Sequence, residues 1–200
     1  MISIFTLSSL ALATLHMAMV PASTNGYVSR LPSRQAFCKD LLIPGCGAVK
    51  YEPQSVEGLK GSFACNGDQG RFPELNDDDV WENYFISVPS DSPLSFTWTI
   101  IAPHRTYSWE YFILTEDIPL LASFKVYGAM PPNTVVHEVP LSGYTGKQTI
   151  LARWNRDNTP TAFYACVDLN INPSDAATAV AGAAAVQLLI GMPLVGPGSG

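Results

Sequence analysis

The stretch that most narrows the choice of fold is "AFYACVDLNI", residues 162–171, in which apolar and mixed positions alternate without a break. Phe163, Ala165, Val167, Leu169 and Ile171 fall on one side of an extended chain, and Tyr164, Cys166, Asp168 and Asn170 on the other. Only a period of two sorts them this way, because a helix would scatter the same residues around its axis. "PLSFTWTII" repeats the pattern, with Leu94, Phe96, Trp98 and Ile100 against Ser95, Thr97 and Thr99. "SWEYFIL", "SFKVYG", "TVVHEV" and "KQTILARW" are further β-rich runs. The 16 prolines and 15 glycines punctuate these runs, and no helical stretch or internal repeat rivals them. The expected fold is an all-β, antiparallel sandwich.

The stretch from Gln35 to about Asp79 has few clear strands and carries three of the four cysteines. It reads as a long loop excursion covering one end of the sandwich, with short helical turns, and loops of that length are usually functional.

Both chain ends differ from this middle. No charged residue precedes Arg30, and residues 2–20 are mostly apolar, so residues 1–22 read as a secretory signal cleaved near Val20-Pro21-Ala22. The domain then spans 23–172, and 173–200 forms an uncharged Ala/Gly-rich tail beyond Asp175. Three readings of the tail compete: a spanning helix weakened by Gly182, Gln187, Gly191 and Pro193, a removable glycolipid-anchor signal near Ser174, Asp175 and Ala176, or a disordered tail. The second is preferred, which implies a secreted protein held at the cell surface.

An exported chain with four cysteines, Cys38, Cys46, Cys65 and Cys166, implies two disulfides, and four cysteines allow three connectivities. Cys38 and Cys46 are close enough to clip one loop, which leaves Cys65 to pair with Cys166. No Cys/His spacing suits structural zinc. The net charge of −6 offers no basic stripe for phosphates, so nucleic acid is not an expected partner.

Motifs for nucleophilic catalysis and zinc hydrolysis are missing: there is no GxSxG elbow and no HExxH. The acidic run "NDDDVWEN" lacks the glycine and distal glutamate of a calcium loop and reads as a solvated turn. His137 lies inside a strand, which suits a structural or solvent-facing role. His104 follows Pro103 where an apolar strand ends, so its ring can project at the rim of the sandwich. Tyr51, Glu52, Gln54 and Glu57 form an aromatic and polar cluster in "YEPQSVEG", which suits carbohydrate, whose ring faces stack on aromatics and whose hydroxyls meet amides and carboxylates.

Five collinear segments, "GYVSRLPSRQAFCKD", "CGAVKYEPQSVEGLKG", "FTWTIIAPHRTYSWEYFI", "ILARWN" and "AFYACVDLNI", resemble the motifs of the bacterial-type lytic polysaccharide monooxygenases, also called chitin-binding proteins. The resemblance covers Asn25 to about Asn172. It implies a fibronectin- or immunoglobulin-like sandwich whose flat face lies on crystalline polysaccharide, with chitin as the expected ligand and copper at the centre of that face. His104 matches the second copper-ligating histidine, Ala102 the small residue beside it, and Phe163 the axial position. Glu57 matches the active-site glutamate. Tyr51, Glu52 and Gln54 match the chitin-gripping cluster, and Trp154 and Thr159 match residues near the copper and the binding surface.

One departure bears on chemistry. Where the family begins its mature chain His-Gly-Tyr, this sequence reads Asn25-Gly26-Tyr27. An amide oxygen is a poor substitute for imidazole on copper(II), which predicts a sharp loss of copper affinity. A smaller departure is the short segment before "PPNTVVHEV", without the cysteine pair many relatives carry there. Two functions follow: a copper-dependent monooxygenase acting on chitin, or a non-catalytic, surface-attached carbohydrate-binding or adhesion module. A monomer is expected in either case.

Overall fold

The computed structural model describes residues 27–28, 33–39, 43–51 and 55–173. The expectations for the leader, Asn25, Glu52, Gln54 and the tail from Ser174 onward lie outside the described residues. In chain order the elements are β1 (Tyr27–Val28), α1 (Arg34–Lys39), a 3-10 turn (Gly47–Tyr51), β2 (Val56–Leu59), a second 3-10 turn (Pro73–Asn76) and α2 (Asp78–Trp81). Seven strands follow: β3 (Ile86–Pro89), β4 (Leu94–Thr99), β5 (Thr106–Ile113), β6 (Leu120–Ala129), β7 (Thr134–Val139), β8 (Gly146–Arg156) and β9 (Thr161–Asn172).

The strands form two sheets, one ordered β1-β4-β7 and the other β2-β9-β8-β5-β6. Each β-rich run read from the sequence is a strand, and the excursion after β1 is built from short helices, turns and β2, as expected. One pairing differs from a purely antiparallel sandwich. Strand β3 lies parallel to the end of β9, pairing Ile86 with Leu169 and Val88 with Ile171. The chain reaches that edge from the excursion and not through a hairpin, so nothing forces an antiparallel direction.

The core between the sheets takes Phe96, Trp98 and Ile100 from one side and Trp109, Tyr111, Ile150, Trp154, Phe163, Ala165, Val167 and Leu169 from the other. These are the alternate positions that the period-two pattern selects. Each large side chain so buried contributes about 1.5–3 kcal/mol of transfer free energy.

The opposite face of β8 and β9 is not open to solvent. Leu151, Tyr164 and Cys166 pack under Cys38, Val49, Phe72, Leu75 and Trp81 of the excursion. Both expected disulfides are present, Cys38–Cys46 and Cys65–Cys166. The second spans 101 residues and bolts the excursion to β9; closing a loop of about 100 residues restricts the unfolded chain by roughly 4.7 kcal/mol in the chain-entropy account.

Beside that bolt lies a buried ion pair. Arg34 Nε and Nη2 donate to the two Asp168 carboxylate oxygens at 2.8 Å each, Arg34 Nη1 donates to the Leu75 carbonyl at 2.7 Å, and Thr149 Oγ1 donates to Asp168 at 2.7 Å. Every strong donor and acceptor in the group is matched, which is the condition under which a buried pair is tolerated. In the acidic run, Asp77 caps α2 by accepting from the Asp79 backbone N–H at 3.2 Å, and Trp81 closes the helix by burying its ring. The run is thus a helix start and not a bare solvated turn.

Candidate functional site

His104 owes its place to the crossing from the small sheet to the large one. Strand β4 ends at Thr99, Ile100 buries its side chain, and the next residues step over the rim before Thr106 opens β5. Two hydrogen bonds brace the step. Trp154 Nε1 donates to Thr106 Oγ1 at 2.7 Å, and that hydroxyl donates in turn to the His104 carbonyl at 2.8 Å. The backbone of His104 is therefore tied to the sandwich core, while its ring is left without a hydrogen-bond restraint from this pair.

The imidazole stacks on Phe163, with ring centroids 5.5 Å apart and planes at 29°, and sits 5.9 Å from the Trp154 ring. Phe163 and Trp154 are themselves buried and 4.9 Å apart, so the floor under His104 is rigid. Partial burial lowers the His104 pKa, the Arg156 guanidinium lowers it further, and Glu57 opposes both. The shift favours the neutral imidazole, the form that presents a nitrogen lone pair.

Glu57 reaches this place from β2, where it stands in register opposite Phe163. Its neighbour Gly58 lets β2 approach the excursion closely, because a Cβ there would strike the Gly67 carbonyl. Arg156 Nη1 donates to Glu57 Oε1 at 2.8 Å and to Thr161 Oγ1 at 3.2 Å, and Thr161 shares a 2.9 Å hydroxyl contact with Thr159. The Arg156 guanidinium also lies 5.8 Å from the Phe163 ring centroid. Because Glu57 is half exposed, its pair with Arg156 is worth at most about 1 kcal/mol and serves to orient the carboxylate.

His104, Phe163, Trp154, Glu57 and Thr159 thus share one rim of the large sheet. Tyr51 stands at the end of the first 3-10 turn, 76% exposed, with Lys50 Nζ 4.8 Å from its ring centroid. Arg156, Thr161 and Thr106 were not singled out from the sequence. Arg156 follows directly on "ILARWN" and could have been read from that adjacency, whereas Thr106 looks like any strand-opening threonine. His137 is a core residue: its Nδ1 lies 2.7 Å from the Tyr111 hydroxyl, which already accepts from Trp98 Nε1 at 2.9 Å. Concavities of about 370 and 420 Å³ open beside Arg34 and Thr149, and neither is lined by His104, Glu57 or Phe163.

Residues 26–169 match the family model described as "Lytic polysaccharide mono-oxygenase, cellulose-degrading". The chain belongs to the lytic polysaccharide monooxygenase family. It is 43% identical over 150 residues to a "Lytic chitin monooxygenase" of Streptomyces ambofaciens, covering 75% of this chain and 83% of that one. It is 31% identical over 195 residues to an "AA10 family lytic polysaccharide monooxygenase C" of Mycosarcoma maydis, covering 84% of this chain but only 59% of that longer protein. A solved lytic polysaccharide monooxygenase from Jonesia denitrificans superposes with a TM-score of 0.66 at 39% identity, covering 74% of this chain and 99% of that one.

Copper is the metal of this family, and among the described residues the donors do not make a complete site for it. His104 is the one imidazole on the rim among the described residues, since His137 is committed to the core. No group of three or more His, Cys, Asp and Glu among the described residues is arranged to hold a metal ion. Glu57 is engaged by Arg156.

Proposed function

We propose that this chain is an exported, monomeric chitin-binding protein built on the lytic polysaccharide monooxygenase frame, with polysaccharide adhesion and not oxidative cleavage as its activity. The observation that carries the reading is His104, the one rim imidazole among the described residues, set against Asn25 where the family resemblance expects a second. The binding half is supported by family membership, by the exposed Tyr51 ring, and by Glu57 held outward by Arg156. Chitin is favoured over cellulose because the 43% identical relative is a chitin monooxygenase and because Tyr51, Glu52, Gln54 and Glu57 pair an aromatic with amide and carboxylate partners suited to acetamido sugars. Attachment of the tail to the cell surface completes the reading.

The test is sedimentation with insoluble chitin and, in parallel, cellulose, in the presence of a chelator. The protein is expected in the chitin pellet without added metal, and to yield no oxidised oligosaccharides when copper and a reductant are supplied. Protein left wholly in solution would refute the binding function.

A second reading, copper-dependent oxidative cleavage of chitin, is favoured by one feature: His104 is neutral, stacked on a buried phenylalanine and braced through Thr106, as a ligand needs. In that case Glu57 and Phe163 would line the reacting face. Oxidised chito-oligosaccharides from purified protein would establish it.

A further inference from the structure

Two tyrosines on the other flank of His104 have no part in the site described above. Tyr127 is 71% exposed and Tyr107 41% exposed, and their rings meet edge to face with centroids 5.8 Å apart. Each is turned outward by a separate backbone device. Tyr107 sits in the register shift between Thr106 and Ser108, where β5 slips against both β6 and β8. Such bulges re-aim a side chain and collect beside active sites. Tyr127 holds φ at +49°, a left-handed conformation that is unusual for a bulky side chain and costs free energy.

The pair is anchored to the segment that carries His104. Gly128, next to Tyr127, has φ of +92°, and a Cβ on it would lie 2.7 Å from Asp157 Oδ2 and 2.9 Å from Arg105 Nη2. Arg105, adjacent to His104 in sequence, faces Asp157 at 3.8 Å and accepts its backbone N–H at 2.7 Å. Thr106 pairs with Ala129 on one side and with Arg156 on the other. Across the sheet order β2-β9-β8-β5-β6, His104 therefore enters at β5, with Glu57 three strands away and Tyr127 one strand away in the opposite direction. At about 4.8 Å per strand, Glu57 and Tyr127 frame a rim on the order of 20 Å long.

We propose that Tyr107 and Tyr127 form a second aromatic subsite for the polysaccharide, so that one chain runs across His104 from the Tyr51 and Glu57 side to the tyrosine pair. Pyranose rings present apolar C–H faces and hydroxyl edges, and a tyrosine pair presents an apolar face with a hydroxyl tip. The inference rests on the proposed chitin binding and adds a contact region to it.

Adsorption isotherms on insoluble chitin, with melting temperatures measured alongside, test it. Tyr127→Ala is expected to raise Kd about three- to tenfold, the span expected for loss of one aromatic contact. Tyr107→Ala is expected to act in the same direction, and Tyr127→Phe to keep most of the affinity. Tyr127→Gly separates binding from folding: glycine relieves the left-handed strain, so the melting temperature should hold or rise while Kd rises as for alanine. Leu120→Ala, at the far end of β6, should change nothing. Wild-type affinity in Tyr127→Ala and Tyr127→Gly, together with weakened binding in Tyr51→Ala, would overturn this subsite and leave chitin binding standing. A fall in melting temperature for Tyr127→Gly would make the ring structural and overturn it as well. If the wild-type chain fails to adsorb, both the binding function and the subsite fall.

Discussion

His104 and His137 are the two described histidines, both have lowered pKa values, and their surroundings give them opposite uses. His137 is locked by its ring: the Tyr111 hydroxyl accepts from Trp98 and so donates to Nδ1, while Phe124 stacks at 4.1 Å. Burial alone pushes its pKa down to about 4. His104 is locked by its carbonyl instead, through Thr106 and Trp154, and its ring faces the rim over Phe163. A depressed pKa does not distinguish a working histidine from a packed one. What distinguishes them is whether the hydrogen bonds hold the ring or the backbone.

Breaking the core lock should have the largest effect. Tyr111→Phe leaves Trp98 Nε1 and His137 Nδ1 buried without their partner, and at about 1–3 kcal/mol for an unsatisfied buried group the loss should reach roughly 2–4 kcal/mol. Urea unfolding measures it; a loss below about 1 kcal/mol would mean the relay is not a stability element.

The same lock predicts a pH dependence. With the folded pKa of His137 depressed to about 4, the unfolded chain binds more protons than the folded one between that value and the usual value near 6.5. Stability is therefore full above about pH 6.5 and falls as pH drops toward 4, by roughly 2–3 kcal/mol from this group. His137→Gln should flatten that stretch of the stability profile.

The rim bracing should be weaker. Thr106→Val removes the hydroxyl between Trp154 Nε1 and the His104 carbonyl, at a cost of about 1–2 kcal/mol, and should loosen the His104 loop in hydrogen exchange. His104→Ala, smallest in stability terms, should cost less than about 1 kcal/mol because its ring supports nothing beneath it. A larger loss there would make His104 a packing residue and erase the contrast.

The sandwich was legible because its strands carry period-two patterns that only one face of a sheet explains. The excursion reads from the sequence as a cover for one end of the sandwich, and its packing onto Tyr164 and Cys166 on the second face of β9 was not readable. Arg34 lies 134 residues from Asp168, and no local pattern links them. The short strands β1, β2 and β3 have two to four residues each, too few to show a period. At the site, the resemblance supplied His104, Phe163 and Glu57, which the geometry joins on one rim. Arg156 and Thr106 escaped notice because their roles lie in partners brought together by folding, and the outward tyrosines because strain at Tyr127 is a backbone property.

The proposed adhesive function requires that His104 alone does not hold copper(II) tightly, which a copper(II) titration decides. The chain beginning at residue 25 should bind copper(II) weakly, and Asn25→His in the same chain should tighten binding by at least about 100-fold, beyond the 10–100-fold that outer ligand partners command. Equal, tight binding by both forms would contradict the account.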